Sequence, residues 1–138
     1  MGVMDYLSLV MLALHIICAV TLIGGALVWR FAATPGIQLL DAGTRAKVDN
    51  AIAAAWKPAV IGSILGLLIT GAYNLMHRPV QTKQFHILFG IKMLLALHVF
   101  AVSYLAARPD NSRRSRQLTG VVISGIVILI ISAAFRWV

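Results

Sequence analysis

With 138 residues, 60% of them apolar and 12% charged, a mean hydropathy of +0.90 and a formal charge of +8, the chain falls outside the soluble classes. A soluble domain carries roughly 25% charged and about 45 to 50% apolar residues, and disordered or collagen-like chains need far less hydrophobicity or far more Pro and Gly. What remains is a small integral membrane protein forming a single domain over residues 1–138, and its lone Cys18 excludes an internal disulfide framework or a Cys-only metal cluster.

In lipid only helices or a closed barrel satisfy the backbone, and the apolar runs here lack the period-2 alternation of barrel strands. Windows of about 20 apolar residues fall near 6–29, 58–76, 85–107 and 118–135. The expected fold is therefore all-α, an antiparallel four-helix membrane bundle, the simplest arrangement for four spans with short loops. The first span is too long for a signal peptide, has no Lys or Arg before it and closes on Arg30, so it reads as a retained helix. Between the first two spans, Ile37, Leu40, Val48, Ile52 and Trp56 alternate with Asp41, Arg45, Lys47 and Asp49, the pattern of a short amphipathic helix on the membrane surface. Pro35, Pro58, Pro79 and Pro109 each fall near an expected helix boundary, where a missing N–H does least harm, and Pro58 opens the second span. Gly62, Gly66, Thr70 and Gly71 on the second span, and Gly120, Ser124 and Gly125 on the fourth, are small enough to let a neighbouring helix approach closely.

The positive charges set an orientation. Arg30, Arg45, Lys47, Lys57, Arg108, Arg113, Arg114 and Arg116 lie on one side, Arg78, Lys83 and Arg136 on the other, and Lys92 inside a span. The positive-inside rule then makes the first and third loops cytoplasmic and sends both termini outward, as in a multi-pass protein of a bacterial inner membrane. The run Arg113, Arg114 and Arg116, beside a span, is expected to meet anionic lipid headgroups rather than nucleic acid. The expected partners are the lipid bilayer, a redox or copper-donor protein and a second copy of the chain.

Three ionisable residues fall well inside the spans: His15 in the first, Lys92 and His98 in the third. A Lys near the bilayer centre costs roughly 3 kcal/mol on insertion scales, so such residues call for a functional partner within the bundle. Counting at about 1.5 Å per residue from the outer ends, His15 lies roughly 15 Å deep, Lys92 roughly 10 Å and His98 roughly 20 Å. Two neutral imidazoles at similar depth on facing helices are a common way for a bundle to hold a haem iron, which makes His15 and His98 candidate axial ligands of one b-type haem. Lys92, readily neutralised if buried, is the candidate for interaction with a propionate or for proton transfer. His77 and His86, at the outer ends of their spans, suit the polar interface.

A competing pattern runs along the first span, where Met4, Met11, His15 and Cys18 fall in a stripe about 60° wide. Thioether, imidazole and thiolate suit Cu(I), so Met11, His15 and Cys18 are candidate copper ligands, although Met and Cys also serve as plain core fillers. Asp5, Asp41, Asp49 and Asp110 all lie outside the expected spans, which argues against a carboxylate proton relay or an acid-lined cation channel. No nucleophile-elbow, zinc-protease or P-loop motif is present. A third reading makes the chain a structural subunit in which both histidines only form hydrogen bonds.

Leu14-His15, Gly24-Gly25 and Arg30, then Thr70-Gly71-Ala72-Tyr73-Asn74 and Gly90-Ile91-Lys92, resemble the CopD copper-resistance membrane domain. His15, Pro58 and Ile91-Lys92 also resemble the HemJ-type protoporphyrinogen oxidases. The resemblance extends from His15 to Arg108. The HemJ branch implies a b-type haem held with the help of His15, and a functional Lys92. The CopD branch implies copper movement or tolerance with a periplasmic partner. Leu22 stands where an aromatic residue is common, and His98 lies outside the HemJ pattern, where it supplies a second imidazole. The resulting expectation is a haem-binding redox protein, in electron transfer or porphyrin oxidation, with copper binding or transport as the alternative.

Overall fold

The computed structural model describes residues 2–138, and every regular element in them is helical. Helix α1 (Val3–Val28) runs into a π-helical turn (Trp29–Ala33) and a short α2 (Thr34–Ile37). Helix α3 (Ala42–Met76), α4 (Lys83–Ala106) and α5 (Arg114–Ala134) follow. Four helical stretches are long and apolar enough to cross a membrane: Val3–Ile37, Ala42–Met76, Lys83–Ala106 and Arg114–Ala134. Their outward faces carry the large apolar side chains, such as Leu9, Ile16, Val20, Leu65, Ile69, Leu94 and Ile130, as a lipid-facing surface requires.

The segment expected as a separate amphipathic surface helix is instead divided: Ile37 ends α2, Leu40 and Asp41 lie in the connection, and the rest is the start of α3, which runs unbroken from Ala42 to Met76 with Pro58 inside it. Pro58 therefore does not open the second span. A proline removes one N–H bond, to the carbonyl four residues back, and a helix flanked by others in a bilayer tolerates that loss. Asp41 starts the helix: its carboxylate accepts the Thr44 amide at 3.0 Å, the usual way to satisfy a free N-terminal donor.

The first stretch and α3 are each 35 residues long, roughly 50 Å at 1.5 Å per residue, against about 30 Å of hydrocarbon. The chain passes from α1 to α3 at the end that also carries the α4–α5 connection. The π turn reorganises this end. The Thr34 amide bonds the Trp29 carbonyl five residues back, and the Thr34 hydroxyl donates to the same carbonyl at 2.9 Å. Trp29 points inward and is buried, while Arg30 reaches α5 and donates to the Thr119 hydroxyl at 2.9 Å.

Helix α1 packs along α3, α4 packs along α5, and α1 and α5 join the two pairs; α3 and α4 meet over a shorter stretch. Small residues set the close approaches. A Cβ on Gly125 would stand 2.8 Å from Ile23, one on Gly25 2.6 Å from the Trp56 indole nitrogen, and one on Gly66 2.5 Å from the Cys18 sulfur, whereas Gly62 faces open space. The close-packed core, Leu22, Ala26, Trp29, Ala53, Val60, Val99, Ala106, Leu118, Val121 and Val122, fills the half nearest the α1–α3 and α4–α5 connections.

At that end Asn50 and Asp110 exchange two hydrogen bonds, 2.8 and 3.0 Å, which tie the start of α3 to the α4–α5 connection. At the other end Ser8 meets Tyr73 at 3.2 Å, and Arg78 donates to the carbonyls of Phe135 and Val138 at 3.1 Å each.

Candidate functional site

His15 is half-buried on α1 and turned toward α3. Its Nδ1 lies 2.8 Å from the hydroxyl of the buried Thr70, which in turn donates to the Gly66 carbonyl at 2.6 Å. A threonine hydroxyl has one hydrogen. With that hydrogen on Gly66, Thr70 accepts from the imidazole Nδ1–H, and a neutral ring in that tautomer keeps its lone pair on Nε2. Gly71 lies beside the ring: a Cβ there would meet His15 Cε1 at 3.4 Å, an ordinary van der Waals contact.

Cys18, one turn further along the same face of α1, packs on Gly66. Thus His15 and Cys18 share the α1–α3 seam. Met11 is half-buried and Met4 exposed. Toward the Ser8–Tyr73 end, the Tyr73 ring stacks on His77 with centroids 4.0 Å apart.

His98 lies on a different seam. It is exposed on α4, with Nδ1 3.0 Å from the Ser124 hydroxyl of α5 and its ring edge over Gly120. The two histidines make no direct contact among the described residues. Helices α1 and α4 are diagonal rather than adjacent, so the facing arrangement expected of these two spans is replaced by two separate histidine–hydroxyl pairs. Lys92 is half-buried on α4, its ammonium 5.3 Å from the Phe135 ring centroid. Phe135 belongs to an aromatic cluster with the buried Phe85, 5.0 Å away, over which Arg78 lies at 4.2 Å. Among the described residues no group of three or more His, Cys, Asp or Glu is gathered as a metal site.

A polar centre that sequence reasoning missed lies at the opposite end. Arg114, expected at the lipid headgroups with Arg113 and Arg116, is buried, with only 4% of its side chain exposed. It pairs with Asp49, donates from Nε to the Ala106 carbonyl at 2.8 Å and bonds the Arg108 carbonyl. The other Asp49 oxygen accepts from the Trp29 indole at 3.2 Å, and the guanidinium lies 5.3 Å from that ring. Asp49, read as a loop acid, is thus a partly buried residue of α3. The signal was a spacing: Asp49, Ala53, Trp56 and Val60, like Arg114, Leu118, Val121 and Gly125, follow the 4-3-4 step of one helix face, so each charge extends an inward stripe.

Fold and site together define an all-helical chain of the multi-pass membrane class, with two anchored imidazoles in its spans. No protein-family profile, curated protein or solved structure matches it.

Proposed function

We propose that this chain is a small integral membrane redox protein that holds one b-type haem, with His15 and His98 as axial ligands. The observation that carries the reading is the anchoring of His15, whose Nδ1 lies 2.8 Å from the Thr70 hydroxyl, so that a neutral ring donating there keeps its lone pair on Nε2. His98 has a matching companion in Ser124 at Nδ1. A metal-bound histidine ordinarily has its second nitrogen held by such a partner, which fixes the tautomer and the ring plane, so the donor chemistry of each ring fits a haem iron, and one iron taking both requires α1 and α4, diagonal without it, to bring the two rings to facing positions. Haem, when bound, supplies one-electron chemistry. The chain's own part is to hold the two rings through Thr70 and Ser124, and to exclude water with its apolar helix faces. Lys92 offers a cation to a propionate, or a proton at Nζ in a porphyrin oxidation of the HemJ kind. The membrane arrangement proposed with it is an antiparallel bundle in a bacterial inner membrane, both termini outside and a redox protein as partner.

Haem content and the reduced spectrum of the purified protein test this. His15→Ala and His98→Ala should each remove the low-spin haem spectrum, while Lys92→Ala should retain it. Full haem occupancy in both histidine variants would reject the ligand assignment.

The second reading, copper binding or transport of the CopD type, is favoured by the seam that His15 and Cys18 share. Met11, His15 and Cys18 would then take Cu(I) from a donor protein. Copper bound per chain should fall in Cys18→Ala and stay level in His98→Ala.

A further inference from the structure

At the opposite end from the Ser8–Tyr73 contact, a cavity of about 250 Å3 opens beside Arg114, between the α2–α3 connection and the start of α5. We propose that this cavity is a binding site for a phosphate group, as carried by an anionic lipid or by free phosphate. The residues that line it account for the choice. Arg114 and Asp49 cancel one another as an ion pair. Arg45 is the charge left over: its guanidinium donates to the carbonyls of Gln38 and Leu40 at 3.1 Å each and meets no carboxylate among the described residues. The hydroxyls of Ser112 and Ser115 and the Gln38 amide also border the cavity, and their side chains have no hydrogen-bond partner among the described residues. One unmatched guanidinium with several uncommitted donors suits a group with several charged oxygens.

The surrounding field has the same sign. Arg30, Arg45, Lys47, Lys57, Arg108, Arg113, Arg114 and Arg116 stand at this end against Asp41, Asp49 and Asp110. Basic pockets between helices at a membrane surface take anionic headgroups, and a Lys or Arg that lines such a pocket contributes about a five-fold preference. Arg113 and Arg116, both exposed, add to the field without lining the cavity.

The test uses the full chain in a neutral detergent, with native mass spectrometry to follow short-chain phosphatidylglycerol, phosphatidylcholine of the same chain length, and inorganic phosphate. Phosphatidylglycerol should be retained over phosphatidylcholine, and Arg45→Gln should weaken its retention about five-fold. Lys47→Gln makes the same charge change on an exposed residue outside the cavity and should stay within about two-fold of the parent. Ser112→Asp sets a carboxylate at the exposed rim, disturbs no buried contact, and should abolish the preference. Displacement of phosphatidylglycerol by millimolar phosphate would assign the site to the free anion, and retention despite phosphate would assign it to the headgroup. Equal retention of the two lipids, equal losses in Arg45→Gln and Lys47→Gln, or parent-like binding in Ser112→Asp would overturn the proposal.

Discussion

Thr70 has a single hydroxyl hydrogen, and the Gly66 carbonyl takes it; the tautomer of a neutral His15 follows from that one bond. Thr70→Val removes the acceptor at Nδ1 and strands a donor in the α1–α3 seam, at about 1 to 3 kcal/mol. Thr70→Ser keeps the oxygen and should behave like the parent. On the proposed function, haem per chain should drop in the valine variant and recover in the serine one, whereas equal haem content in both would show that Thr70 does not orient the ring. A larger effect is expected at Arg114. Removing one partner of a buried ion pair costs about 3 to 5 kcal/mol, and Arg114→Leu also releases the carbonyls of Ala106 and Arg108. Asp49→Asn, whose single amide oxygen can still accept from Arg114 while its NH2 faces the Trp29 N–H, should lose less than Asp49→Leu when the variants are unfolded in denaturing detergent.

Among the elements, hydropathy located the four spans, with ends at most a few residues from the helices except at α3. That helix was cut short because Pro58 was read as a boundary, when it removes only one bond from a ladder held by its neighbours. The glycine pattern was legible as a reason for close packing but not as a set of partners. Gly66 and Gly125 face side chains, and Gly62 faces open space. Gly125→Ala should accordingly destabilise the α1–α5 contact, because β-branched Ile23 cannot swing its Cγ atoms clear, while Gly62→Ala should be neutral or slightly stabilising through helix propensity. Gly66→Ala clashes with the Cys18 sulfur alone, so adding Cys18→Ala should restore most of the loss, a coupling that a double-mutant cycle measures directly. At the start of α3, the Thr44 amide and hydroxyl hold the Asp41 carboxyl below the usual carboxylate range. A carboxylate whose pKa is lowered by folding stabilises the folded state above its unfolded pKa, and that contribution disappears only as the pH falls through the lowered value. The protection of the Thr44 amide, its exchange rate relative to the intrinsic rate at the same pH, should therefore be unchanged from neutral pH down to the usual carboxylate range, and fall in more acid solution or in Asp41→Ala at any pH.

For the molecule as a whole, His15, Lys92 and His98 were legible because an ionisable residue in an apolar run is conspicuous. Their relation across the bundle was not, since helix order around a bundle is decided by packing that no single span encodes. Arg114 and Asp49 were hidden for the opposite reason: each sits in a charged stretch at a span's edge, where a buried charge looks like a solvated one. The contacts Asn50–Asp110 and Ser8–Tyr73 mark the two ends of the molecule. With the proposed orientation, Ser112→Cys should label from the cytoplasmic side only and Gln81→Cys from the outside only, and the reverse pattern would invert the topology.

The central claim is haem ligation, and the most direct measurement is the absorption spectrum of the detergent-purified protein, oxidised and then reduced with dithionite, with iron and copper counted in the same sample. The account predicts a Soret band with sharp reduced bands and about one iron per chain. Protein expressed with ample haem that shows no Soret band would contradict it, and copper at one equivalent in that sample would point to the His15–Cys18 seam instead.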